Sequence, residues 1–213
     1  KVVFCDIEKD SWCLDPNSVR KNITHNTRAI IAVDLYGLPA NYDRRVQIGT
    51  KYNLKLISDA AQSFGGIFNQ KKVGSLADVT CTSFFPAKPL GCYGDGGAVL
   101  TNCNSVKKKV DSLRSHGKGE TKYEIVDIGL NSRLDTVQAA ILLSKFEVFE
   151  TETASRNRIA KIYSSEISNF YKKPVIPKNS SSAWAQYTLR SSKRDNIIEF
   201  LKEFNIPTMI YYP

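Results

Sequence analysis

Short apolar runs separated by polar turns fill the first hundred residues, and a single long helical pattern follows them. VVFCDI (residues 2–7), RAIIAVDLYG (28–37) and LKLIS (54–58) are β-branched runs bounded by turn formers, which predicts strands. Between them Asp15-Pro16, a cap residue before proline at the first helical position, opens one helix, and residues 42–52 carry another. The alternation predicts βαβ units and an α/β fold with a largely parallel sheet, whose ligands gather at the carboxyl ends of the strands. GGIFNQKKVGS (65–75) reads as a turn or short hairpin. DVTCTSFF (78–85) and AVLT (98–101) read as strands, and residues 105–115 as a basic helix. No internal repeat or low-complexity tract interrupts the pattern.

From Asn131 the period changes. Leu134, Val137, Ile141, Val148, Ile159 and Ile162 recur through a stretch without Gly or Pro that reaches residue 167. Ser132 with Asp135 three residues on reads as an acidic variant of the capping box at its start. A helix this long is expected to run from one domain into another. AWAQYTLR (183–190), the helical RDNIIEFLKEF (194–204) and the strand-like PTMIYY (207–212) then begin a smaller α+β unit. The chain starts directly on one strand-like run and stops just after another, so it is expected to be an excerpt of a longer polypeptide.

Composition narrows the function classes. The chain has 213 residues, enough for one good core, and a net charge of +9. Its basic residues are scattered, which fits solvated surface charge or an anionic small substrate better than a nucleic-acid partner. An RNA-binding signature and zinc-finger spacing are both missing. No run approaches the length of a membrane span and nothing reads as a signal peptide, so a cytoplasmic protein is expected. Five cysteines, odd in number and without C-x-x-C spacing, read as reduced thiols; His25 and His116 alone give a metal little to bind.

One residue resists the surface-charge explanation. Lys88 in SFFPAKPLGCYGDGG is the only lysine or arginine between Lys72 and Lys107, and Pro86 and Pro89 stiffen the backbone around it in a non-helical form. An amine so presented can form a Schiff base with a carbonyl cofactor such as pyridoxal phosphate. That cofactor requires a carboxylate for its pyridinium nitrogen and donors for its phosphate. Asp59, at the end of an apolar strand and followed by Ala60 and Ala61, is the candidate carboxylate; the alternative is that it caps the next turn. Gln62 can reach the phenolic oxygen, and Ser83 either binds phosphate or closes a turn. Gly91, Gly94, Gly96 and Gly97 do not form G-x-G-x-x-G, which argues against a dinucleotide site, and read as places where backbone passes close to a bound group.

DAAQSFGG, VGSLADV, CTSFFPAKPLGCYGDGGAVLTN, LRSHG and NSRLDTVQAAIL, in this order and spacing, resemble the DegT/DnrJ/EryC1/StrS family of pyridoxal-phosphate-dependent sugar aminotransferases across essentially the whole chain. Within it the chain is similar to enzymes that aminate UDP-2-acetamido-2-deoxy-3-keto-glucuronate with glutamate as donor, for bacterial surface polysaccharides. The resemblance implies fold type I, with residues 1–150 forming most of the cofactor-binding large domain. Residues 151–213 form the connecting helix and the start of a small domain. It implies that Lys88 holds the cofactor and shuttles a proton, that Asp59 pairs with the pyridinium, and that Gln62 lies beside the ring. Ser83 binds the phosphate, and Asn131 reaches it from the neighbouring subunit of a homodimer. Arg133 either grips a substrate carboxylate or forms a surface ion pair at a helix start. Tyr212 takes the tyrosine position of the family's H-Y-P motif, while Tyr211 replaces the histidine. His116 matches a family position where a structural hydrogen bond is the favoured role. The family's upstream phosphate-cup segment and ring-stacking aromatic have no counterpart in these residues. An enzyme acting at C4 of a UDP-keto-sugar, or a non-catalytic sensor, are the competing readings; lysine at position 88 argues against the dehydratase branch, which carries histidine.

Overall fold

A computed structural model describes residues 1–121 and 123–213. In chain order it contains α1 (Pro16–Asn22), β1 (Ala29–Val33), α2 (Tyr42–Tyr52), β2 (Lys55–Asp59), β3 (Ile67–Phe68), β4 (Lys71–Lys72), β5 (Val79–Ser83) and β6 (Gly97–Leu100). There follow α3 (Asn104–Leu113), α4 (Thr136–Glu166), β7 (Ser180–Ser181) and α5 (Arg194–Glu203). The main sheet has the order β1-β2-β5-β6, with β1, β2 and β5 parallel and β6 antiparallel to β5. The expected hairpin at 65–75 forms as β3 and β4, and β7 joins its other edge.

The two faces of the main sheet differ sharply. Ile30, Ala32, Leu56 and Thr80 point to one face and are buried; that face shares a core with Val19 of α1 and Tyr42 and Ile48 of α2. α1 is capped as expected, with the Asp15 carboxylate accepting from Asn17 N at 2.9 Å. Strand register carries Ile31, Val33, Ile57, Asp59, Cys81, Ser83 and Val99 to the opposite face. That face is open, with Ile31 58% and Val99 41% exposed.

A second core holds the lysine turn. Leu90 and Cys92 pack with Leu142 and Phe149 of α4, and Phe64, Phe84 and Leu134 close around them. Phe149 also lies under Gly65, where an added Cβ would come within 2.8 Å of its ring. Phe149→Ala is expected to lower unfolding free energy by about 3–5 kcal/mol, measured by chemical denaturation, because the buried ring fills the centre of this second core.

Four expectations are corrected. VVFCDI forms no strand: only Ile7 bridges to Leu14, and Val2, Val3 and Phe4 are exposed, because an apolar run becomes a strand only beside a partner edge and neither β1 nor β6 accepts it. α4 begins at Thr136 with Asp135, not Ser132, at its N-cap, and no side chain caps it; residues 131–135 lie outside the helix. AWAQYTLR and PTMIYY form no named strand, with a single bridge between Lys172 and Arg190. They are irregular segments instead, with Ala183 buried but Leu189 and Met209 exposed. Finally, the tight approach at Gly91 is to the protein's own backbone: an added Cβ would lie 2.6 Å from Pro86 O and 2.7 Å from Phe85 O.

Candidate functional site

The carboxyl ends of β1, β2 and β5 lie side by side, and the chemically suspect residues leave from them. Register pairs Val33 with Asp59 and Asp59 with Cys81, so Ser83 lies two residues farther along the same open face. Lys88 follows five residues later in a turn closed by its own N–H, which donates to Phe85 O at 2.9 Å.

This turn is held from both sides. Cys92 N donates to Phe84 O (2.8 Å) and Phe84 N to Gly96 O (2.8 Å). From α4, Arg156 Nη1 donates to Pro89 O (3.1 Å), and Gln138 Oε1 accepts from Tyr93 N (2.8 Å). The lysine is half-buried, and its Nζ has no hydrogen-bond partner among the described residues. Rigid backbone with an uncommitted amine is the arrangement that covalent capture of a carbonyl requires.

Asp59 and Ser83 each do the local job considered for them and keep capacity to spare. Asp59 Oδ1 accepts from Ala61 N at 3.1 Å, which caps the turn, while Oδ2 is unclaimed among the described residues. Ser83 Oγ accepts from Phe85 N at 3.2 Å and retains its hydroxyl proton for another acceptor. The Cys81 thiol between them is pushed up, first by burial and then by the Asp59 carboxylate. Gln62 is buried and more committed: Oε1 accepts from Tyr36 N (2.6 Å) and Nε2 donates to the Tyr212 hydroxyl (2.9 Å), leaving one amide N–H. Tyr212 is thereby brought to the Asp59–Gln62 loop across 150 residues of sequence.

Asn131 and Arg133 are placed elsewhere. Both are exposed, and Arg133 Nε donates to Asn131 Oδ1 at 2.9 Å. Arg133 makes no ion pair among the described residues, so the surface-pair alternative does not describe it. His116 is exposed with φ +66, and its backbone N–H donates to Leu130 O at 2.9 Å.

Sequence reasoning missed the support beneath the site. Asp34 is fully buried; Oδ1 accepts from Ala40 N (2.9 Å) and the Tyr42 hydroxyl (2.8 Å), and Oδ2 from Ser63 Oγ (2.7 Å). It ties the loop after β1 to the one carrying Gln62. The signal was present as an acid ending the apolar run RAIIAV. Burial pushes the Asp34 carboxyl up to about 6, against hydrogen bonds from Ala40, Ser63 and Tyr42 that lower it. The folded state therefore holds this proton more tightly than the unfolded chain. The stability it contributes is complete below pH ~4 and is lost as pH rises through about 6. Relative to Asp34→Asn, the wild type should lose on the order of 3 kcal/mol between pH 4 and 7 in urea unfolding.

A model of the DegT/DnrJ/EryC1/StrS aminotransferase family matches residues 1–213. The chain belongs to this family. It is 44% identical over 214 residues to the UDP-2-acetamido-2-deoxy-3-oxo-D-glucuronate aminotransferase of Pseudomonas aeruginosa, covering 100% of this chain and 59% of that protein. It is 38% identical to the dTDP-3-amino-3,6-dideoxy-alpha-D-galactopyranose transaminase of Aneurinibacillus thermoaerophilus, covering 99% of this chain and 58% of that one. Among solved structures, S. venezuelae DesV in complex with a ketimine intermediate superposes with a TM-score of 0.95 at 34% identity, over 99% of this chain and 57% of that chain. The chain thus spans three fifths or less of the length of these curated relatives. The fold is the fold type I α/β architecture of these family members.

The donor set fits the family's pyridoxal phosphate. Among the described residues it offers an amine with no hydrogen bond, a carboxylate oxygen without a partner and a hydroxyl proton free to donate. Among the described residues no cluster of His, Cys, Asp and Glu could hold a metal ion, and no helix is long and apolar enough to cross a membrane. All five cysteines are free.

Proposed function

We propose that the protein transfers an amino group from glutamate to the 3-keto carbon of UDP-2-acetamido-2-deoxy-3-keto-glucuronate, for a bacterial surface polysaccharide. What supports this is the position of Asp59 and Ser83 on the open face at the carboxyl ends of the adjacent parallel strands β2 and β5, with Lys88 five residues on in a turn clamped by α4. Bound pyridoxal phosphate supplies an electron sink for the bond broken at the amine-bearing carbon. Lys88 would hold the group through Nζ, and the same amine would carry the proton to and from the substrate carbon. Asp59 keeps the ring nitrogen protonated through its unclaimed oxygen. Ser83 donates to the phosphate, and Asn131 reaches the phosphate of the neighbouring subunit's site. Gln62 flanks the ring, and Tyr212 contacts the sugar.

The identity to the P. aeruginosa enzyme supports the substrate, and Arg133, without an acidic partner among the described residues, supports a carboxylate ligand on either the uronate or glutamate. A homodimer is supported by the exposed apolar residues beside Asn131, above all Ile128 at 99% exposure. Its free thiols suit the reducing cytoplasm, and α4 joins a cofactor-binding unit (1–150) to a smaller one (151–213). The test is release of 2-oxoglutarate from glutamate in the presence of UDP-linked 3-keto-glucuronate or of a UDP-4-keto-sugar. Turnover with the first supports the assignment; turnover with the second alone transfers it to a 4-aminotransferase.

A further inference from the structure

The turn after β1, residues Leu35–Gly37, joins the sheet edge to both irregular segments of the C-terminal part. Gly37 has φ +104, and a Cβ there would lie 2.7 Å from Trp184 N and 2.9 Å from Ala185 N, so only glycine permits the approach. Ala183 N donates to Gly37 O (2.9 Å) and Gln186 N to Tyr36 O (3.4 Å). Tyr36 itself has φ +59, a left-handed conformation that an aromatic residue adopts only when its surroundings hold it there. What holds it is visible: the Trp12 ring lies edge-on at 5.4 Å, and the Tyr36 hydroxyl donates to Tyr211 O at 2.5 Å.

The backbone of Tyr36 has a second consequence. A backbone N–H can only donate, so the atom of Gln62 facing it at 2.6 Å must be the amide oxygen. That fixes the other end of the amide as the nitrogen, which donates to the Tyr212 hydroxyl oxygen at 2.9 Å. Flipping the amide would set donor against donor at Tyr36. With its oxygen receiving a hydrogen bond from Gln62, Tyr212 turns its own O–H proton away from Gln62.

We propose that Tyr36 is a positioning residue for acceptor binding: through Gln62 and the Tyr211 carbonyl it makes Tyr212 a hydrogen-bond donor aimed at an oxygen of the keto-sugar. The assignment deepens the function proposed above and rests on Tyr212 contacting that sugar. Tyr36 meets the cofactor side of the site through its backbone N–H to Gln62, which a change of its side chain keeps, so the effect of its hydroxyl belongs to sugar binding.

Tyr36→Phe deletes one hydroxyl and keeps the ring and the N–H. In the cofactor-loaded native protein it should raise KM for the keto-sugar about 5–10-fold, keep kcat within about twofold and leave the cofactor's absorption band in place. Amide hydrogen exchange across residues 208–212 should accelerate about tenfold. In a Tyr212→Phe background, adding Tyr36→Phe should change KM by less than about twofold, since the donor is already lost. Unchanged exchange at 208–212 would overturn the proposal, as would an undiminished KM effect in the Tyr212→Phe background. Should the native protein turn over no keto-sugar at all, the functional reading falls, whereas the exchange experiment still decides whether Tyr36 holds the C-terminal segment.

Discussion

Lys88→Ala should reduce amino transfer by about 10³–10⁴-fold and end all reducible attachment of the cofactor. Both losses follow from one atom. Nζ makes no hydrogen bond or ion pair among the described residues, and the turn carrying it is locked by contacts to α4 that the substitution leaves alone. The side chain is half-buried and makes no hydrogen bond among the described residues, so its removal should change unfolding free energy little. Activity and stability should therefore separate: near-wild-type denaturation with almost no turnover. A variant that lost both together would show that the lysine turn is chiefly a structural staple.

Asp59→Asn should produce the second largest loss. Asparagine keeps an oxygen for Ala61 N, so the turn cap survives and folding should change by less than about 1 kcal/mol. The charge is lost. An ionic hydrogen bond to the ring nitrogen contributes ~1.5–3 kcal/mol, so cofactor affinity should fall about 10–100-fold, read by absorbance titration. Turnover should fall further, by about 10²-fold or more even at saturating cofactor, because an amide does not keep the ring nitrogen protonated. Saturable cofactor binding of unchanged affinity in Asp59→Asn would remove this residue from the site and return it to its capping role.

The elements legible in the sequence were those whose signals are local. Asp15-Pro16 marked the start of α1, and the β-branched runs ending at Val33, Asp59 and Ser83 became the three parallel strands. Lys88 was conspicuous because its neighbours are apolar or conformationally special. The failures share a cause. VVFCDI has the composition of a strand, but pairing is a property of the neighbour, and no edge of the described sheet receives it. Ser132 and Asp135 have capping-box spacing, yet the chain remains extended through 135, where the capping position falls one turn later.

The site's support was hidden for a similar reason. Asp34, Tyr42, Ser58 and Ser63 meet only because α2 folds back over β1 and β2, and each looks ordinary in its own stretch. Gln62 was singled out for the cofactor, but its bonds to Tyr36 and Tyr212 span 26 and 150 residues. No spacing rule connects positions so far apart. Residue chemistry singled out the candidate groups, and the hydrogen-bond network around Gln62 emerged only from the fold.

Borohydride reduction of the cofactor-loaded native protein, followed by peptide mapping, tests the central claim most directly. The label should fall on Lys88, within the peptide carrying SFFPAKPLG. A label on another lysine, or none in protein that demonstrably contains the cofactor, would contradict the account.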